Sequence, residues 1–123
     1  MKITKIFFHF INLLFVILYL YPGSILGFLL YKDLSRQPQV TADFFFSSNH
    51  VYAFIVLTFL GLISHTTKKK FFTIYFIFLS IFLELSHLVI PNRSFQFEDL
   101  FGNILGVLIS ILILKFYNYL EKK

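Results

Sequence analysis

Glu84 and His87 lie three residues apart in one apolar run, and Asp99 and Asn103 lie four apart in the next. On a helix each spacing puts its two residues on one face. A carboxylate beside an imidazole is a pairing used in general acid–base chemistry. His50 opens an earlier apolar run, and Arg93 sits between the two pairs. Arg93 offers a permanent cation with planar geometry for a carboxylate or a phosphate. His50, Glu84, His87, Arg93, Asp99 and Asn103 are therefore the candidate site residues. Two histidines and two carboxylates have the donor types of a zinc site. Glu-x-x-His also occurs in carboxylate-bridged di-iron bundles. Those bundles use more carboxylates than are available here, so neither a metal nor a cofactor is expected. The chain has no cysteine, which excludes thiolate chemistry and disulfides. No serine stands in a recognisable nucleophile setting.

The elements that position these residues are apolar helices. Of the 123 residues, 58% are hydrophobic and only 14% charged, where a soluble domain has about a quarter charged. A globule of this size lacks the interior to hide that much Phe, Leu and Ile. The expected fold is an all-α integral membrane bundle, a single domain over residues 1–123 with four transmembrane helices. The spans fall at about 3–22, 48–65, 71–90 and 97–118, each near the length a bilayer requires. Pro22-Gly23 breaks the first helix, and Ser24–Tyr31 reads as a short interfacial segment. No small-x-small cleavage site follows the first run, so it reads as a retained span. Ser47 or Ser48 suits an N-cap, and Pro91 closes the third span. The small residues Gly102, Gly106 and Ser110 mark the face of the fourth span that packs against other helices.

The basic residues divide unequally between the two ends. One side holds Lys2, Lys5, Lys68, Lys69, Lys70, Lys115, Lys122 and Lys123, and the other Lys32, Arg36 and Arg93. The positive-inside rule then places both termini in the cytoplasm. Bases at the ends of apolar runs read as topology, not as a nucleic-acid groove, despite the net charge of +5. All six candidates then gather at the outer end of the bundle. Ionisable residues within spans are costly and usually face the interior, where they often mark function. The plainer reading is a network that holds helices in register, with Glu84 bonded to Arg93 or His87 and Asp99 to His50. Arg93 is expected to pair with Asp99 or Glu84. His9 and Asn12 read as packing contacts, His65 as interfacial, and Tyr19, Tyr21, Tyr31 and Tyr117 as interface anchors.

The run from Leu83 to Gly106 resembles the signature of the VanZ-like family of small bacterial membrane proteins. That signature is Glu-x-x-Gln, then Pro-x-Arg, then Asp-x-x-x-Asn-x-x-Gly. Glu84, Pro91, Arg93, Asp99, Asn103 and Gly106 match it, with His87 in place of the Gln. Pro22-Gly23-Ser24 also matches, and of an earlier Asp-Lys-x-x-His motif only His50 does. The founding member is linked to resistance to the glycopeptide teicoplanin. The resemblance implies a multi-pass protein of the bacterial cytoplasmic membrane with a role in the cell envelope. The expected function is binding of a lipid-linked or glycan-type ligand in the outward-facing pocket. The alternatives are an intramembrane acid–base enzyme on such a substrate and a structural subunit of a membrane complex. The expected partners are the bilayer and that ligand, with no nucleic acid.

Overall fold

The computed structural model describes residues 1–123 and is entirely helical. Its elements are α1 (Lys2–Leu20), α2 (Ile25–Tyr31), α3 (Ser48–Ser64), α4 (Lys69–Ser86) and α5 (Phe97–Glu121), with a 3₁₀ turn at Thr66–Lys68 between α3 and α4. Each boundary has a local cause. Pro22 cannot continue α1, and Gly23 follows at φ +136°, a left-handed region that favours glycine. The Ser24 hydroxyl accepts the Gly27 N–H and caps α2. The α3 cap falls at an expected residue but bonds differently. Ser47 is the N-cap residue but makes no side-chain cap bond, and the Asp43 carboxylate accepts the Ser48 N–H instead, at 2.9 Å. α4 stops at Ser86, short of Pro91, because the N–H groups of His87, Leu88 and Val89 turn back to carbonyls only three residues behind.

Side-chain contacts define two ends of the bundle. Thr4, Phe8, Ser64, His65 and Phe72 meet at one, here the lysine end. Tyr19, His50, His87 and Asn103 meet at the other, the polar end. The chain therefore runs back and forth between the ends along α1, α3, α4 and α5, and α3 and α5 lie parallel. The core of Phe8, Phe54, Leu57, Leu62, Phe72, Phe76, Leu79, Leu83 and Val107 runs from the lysine end toward the polar end. Outward-facing Phe71, Ile74, Phe78 and Leu112 are each more than 60% exposed, so the bundle presents apolar side chains outside as well as inside. That is the pattern of a helix bundle solvated by lipid.

α1 and α5 are each long and apolar enough to cross a membrane. α3 and α4 meet that description only as a pair, bent by 102° at their junction. The expectation of four spans is thus met in part. α3 has 17 residues, about 25 Å of helix against a hydrocarbon core of about 30 Å. α4 carries Lys69, Lys70 and Glu84 within its 18 residues. His65, expected to be interfacial, is buried at the corner between them, its Nδ1 within 3.1 Å of the Gly61 carbonyl and its ring stacked on Phe72.

The tightest helix contact joins α3 to α5 along the small-residue face. A Cβ on Gly106 would lie 2.6 Å from the Val51 carbonyl oxygen and 2.7 Å from the Phe54 Cβ. Ser110 continues the contact through its hydroxyl, which donates to the Ile55 carbonyl at 2.9 Å. A side chain at 106 meets backbone that cannot swing away. Gly106→Val is therefore expected to destabilise the fold by about 1–3 kcal/mol through overpacking. Reversible unfolding in mixed micelles checks this, and a wild-type midpoint would refute the close approach.

Candidate binding site at the polar end

Asn103 is the centre of the polar end and is fully buried. Its side-chain nitrogen donates to the Ser80 carbonyl at 3.0 Å. Its Oδ1 lies 2.8 Å from His50 Nδ1 and accepts the Tyr19 hydroxyl at 3.2 Å. One side chain thus ties α5 to α1, α3 and α4. An Oδ1 can only accept, so His50 Nδ1 must carry the proton and Nε2 of the neutral ring presents a lone pair. That Nε2 lies 3.7 Å from Asp99 Oδ2.

His87 is oriented the same way. Its Nε2 lies 2.9 Å from the Tyr19 carbonyl, which can only accept. Its Nδ1 lies 3.3 Å from Glu84 Oε2 across the predicted i, i+3 spacing. Glu84 is fully buried in the last turn of α4, and its Oε1 accepts the N–H of Gln96, the N-cap of α5. Glu84 thereby fixes the α4–α5 connection from below. Its Oε2 makes no hydrogen bond.

Five of the six candidates lie together at the polar end: His50 with Asp99, Glu84 with His87, and Asn103 bonded to His50. Glu84, His87 and Asn103 are buried, and Asp99 is partly exposed. Arg93 departs from expectation. It pairs with neither acid. Its Nε donates to the Tyr21 carbonyl at 3.0 Å, and its Nη2 to the Leu18 and Gly23 carbonyls at 2.9 and 2.7 Å. The physical reason lies in α1. The last carbonyls of a helix have no partner within it, and they form the negative end of its dipole. Pro22 and Gly23 turn the chain so that the Leu18 carbonyl of the last turn converges with those of Tyr21 and Gly23 just beyond it, and the guanidinium fork reaches all three. Burial lowers the Arg93 pKa, against which Glu84, Tyr19 and Asp99 act to raise it. Arginine keeps its charge under such shifts.

Tyr19 is the residue the sequence misassigns. It reads as an interface anchor, yet it donates to Asn103, accepts from His87 through its carbonyl and packs edge-on to His50 at 5.0 Å between ring centres. A tyrosine in the last turn of a helix looks the same in either role.

Above this group opens a polar cavity of about 520 Å³. His50, His87, Arg93 and Asp99 line it together with Ser24, Gln39, Asp43, Asn49 and Gln96. A second cavity of about 260 Å³ adjoins it between α1 and α3 and is lined by Phe15, Leu18, Leu26, Val40, Tyr52 and Ala53. Gln37, Asn49, His50 and Arg93 belong to both walls. The roof is the 32–47 loop. Asn49 pins it, donating to the Pro38 carbonyl and accepting the Val40 N–H. Gly27 lets the turn at Asp33–Arg36 lie directly on α2, since a Cβ there would collide with the Arg36 carbonyl.

The sequence pattern of the VanZ/LLP1 family matches residues 3–118. The chain belongs to that family. No curated protein and no solved structure matches it. In this VanZ/LLP1 protein Glu84, Arg93, Asp99 and Asn103 occupy one end of the bundle.

Asp43 anchors the roof to α3. The Ser48 N–H bond, followed by bonds from Gln39 and Ser48 side chains, holds its carboxyl below the usual aspartate value of 3.8. A depressed pKa means that the unfolded segment binds more protons in acid. The stabilisation is present above about pH 4 and is lost as pH falls through the lower folded value. Amide exchange at the start of α3 should therefore quicken in wild type as pH falls below about 4, after correction for intrinsic rates. Asp43→Asn should lack that step. The same step in Asp43→Asn would assign it to another group.

Proposed function

We propose that this VanZ/LLP1 protein binds a lipid-linked ligand with an anionic or glycan head at the polar end of its bundle. The observation that carries the reading is the pair of adjoining cavities, one polar and one apolar, sharing His50 and Arg93 in their walls. A head group with hydrogen-bonding and anionic character suits the first, and a hydrocarbon tail suits the second. Arg93 has one nitrogen, Nη1, without a protein hydrogen bond and stands where the two cavities meet. We read α1, α3, α4 and α5 as four spans of the bacterial cytoplasmic membrane with both termini in the cytoplasm. The eight-to-three distribution of bases supports this orientation. The site then faces the outer leaflet, where lipid-linked envelope precursors and glycopeptides meet. The reading extends to a role in glycopeptide resistance, which the resemblance to the family's founding member supports.

Two measurements test the reading. The chain has no native cysteine, so single cysteines report topology cleanly. A membrane-impermeant maleimide applied to intact cells should label Ser35→Cys and spare Thr67→Cys, and the reverse pattern would overturn the orientation. Ala53→Phe should fill the apolar cavity. Lipid co-purifying with the wild-type protein should fall several-fold in that variant, and undiminished lipid would sink the proposed tail site. A second reading, acid–base catalysis on the same ligand, is favoured by the two histidine–carboxylate contacts. It requires Glu84→Gln to bind ligand yet leave it unchanged.

A further inference from the structure

The bonding pattern at the polar end leaves lone pairs facing one another. Asn103 must accept from His50 Nδ1, because its amide nitrogen is committed to the Ser80 carbonyl. In the neutral ring His50 Nε2 then directs a lone pair toward Asp99 Oδ2 at 3.7 Å. Glu84 adds a second carboxylate from behind. One donor atom each from His50, Glu84 and Asp99 lies within 4.8 Å of the other two. These donors come from three different helices, α3, α4 and α5, so the bundle itself brings them together.

Nothing in the group is a fixed cation. Arg93, the only nearby permanent one, is bonded to the end of α1. His87 Nδ1 lies 3.3 Å from Glu84 Oε2 without hydrogen-bond geometry, and that oxygen, fully buried, has no hydrogen bond. Two carboxylates and an imidazole lone pair converging at a partly buried place repel one another unless a proton or a cation sits between them.

We propose that His50, Glu84 and Asp99 hold a divalent transition cation of the Zn²⁺ or Mn²⁺ class. One imidazole nitrogen and two carboxylate oxygens form a mixed donor set that suits these ions. Donors on a tetrahedral ion with bonds of about 2.1 Å stand about 3.4 Å apart, close to the observed His50–Asp99 separation. The Asn103–His50 bond is the outer-shell contact that metal-bound histidines use to fix their tautomer. His50 and Asp99 line the polar cavity while Glu84 lies behind them. The ion's remaining positions thus face the cavity and are open to water or to an oxygen of a ligand. Three donors from three helices achieve what a count of carboxylates in the sequence does not suggest. The proposal does not depend on which ligand the cavity takes.

The test uses the full chain in detergent, stripped with a chelator, dialysed against Zn²⁺ or Mn²⁺ and analysed by elemental mass spectrometry. About one equivalent per chain is expected, with at least tenfold weaker retention in His50→Ala and in Asp99→Asn and unchanged retention in His65→Ala. Retention below one-tenth equivalent in wild type overturns the proposal, as does equal retention in the His50 and Asp99 variants. The rival resolution is a proton. His50 would then be an imidazolium paired with Asp99, and nitrogen NMR of wild type would show both ring nitrogens protonated with and without metal. Should a variant fail to fold, Co²⁺ added to wild type decides alone. Visible bands of nitrogen–oxygen coordination support the site, and the spectrum of aqueous Co²⁺ overturns it. None of these readouts requires bound lipid, so they stand or fall separately from the ligand-binding proposal.

Discussion

Asn103→Ala is expected to destabilise the bundle by about 3–5 kcal/mol, the largest effect of any single truncation at the polar end. The reason is the number of groups that one amide serves. Its removal leaves the His50 Nδ1–H, the Tyr19 hydroxyl and the Ser80 carbonyl without their present partner. A buried polar group stripped of its partner costs about 1–3 kcal/mol. The site is fully buried, so water does not readily replace the amide. Asn103→Asp separates the components. It keeps acceptors for His50 and Tyr19 but cannot donate to Ser80, and it adds a third carboxyl beside Glu84 and Asp99. It should therefore fall below wild type and gain stability on acidification, while Asn103→Ala should not. Unfolding in micelles at two pH values makes the comparison. A loss under 1 kcal/mol in Asn103→Ala would show that the four-helix connection is not what holds this end together.

Asn103 was legible in the sequence because helical periodicity is local. Four residues separate it from Asp99, three separate it from Gly106, and small residues continue the same face. Periodicity predicts a shared face wherever the helix forms, without knowledge of what packs there. The same rule predicts the Glu84–His87 contact, and both are found. The meeting of His50 with Asp99 across α3 and α5 needed only the assumption that alternating helices bring their polar ends together.

What was not legible depends on direction rather than period. The 102° corner between α3 and α4 has no signature in Thr66–Lys70 beyond a polar turn. The central place of Tyr19 depends on the rotation of α1 about its axis, which the polar residues Lys2, Lys5, His9 and Asn12 mark only in the first half of that helix. The end of α4 falls at Ser86 because backbone bonds tighten there, whereas the visible stop signal is Pro91. The three donors of the proposed metal site are each ordinary in sequence, and only their spatial order sets them apart.

Arg93 supplies the second large effect, and here structure reverses an electrostatic expectation. If Arg93 neutralised Glu84 or Asp99, its loss would strand an acid and hurt more at neutral than at acidic pH. Its bonds go instead to the carbonyls of Leu18, Tyr21 and Gly23, groups that do not titrate. Hydrogen bonds to a charged donor are worth about 1.5–3 kcal/mol each, and partial exposure lets water recover some of that. Arg93→Ala is therefore expected to cost about 2–4 kcal/mol, nearly equally at pH 7 and pH 5.5. Arg93→Lys keeps the charge but offers a point donor in place of a fork, so it should recover less than half of the loss. The damage should be local, with faster amide exchange across the last turn of α1 and the 22–24 turn. A loss confined to neutral pH would restore the carboxylate pairing. A fully rescued Arg93→Lys would mean that charge at the mouth of the cavity, and not the guanidinium's grip on α1, is what position 93 contributes.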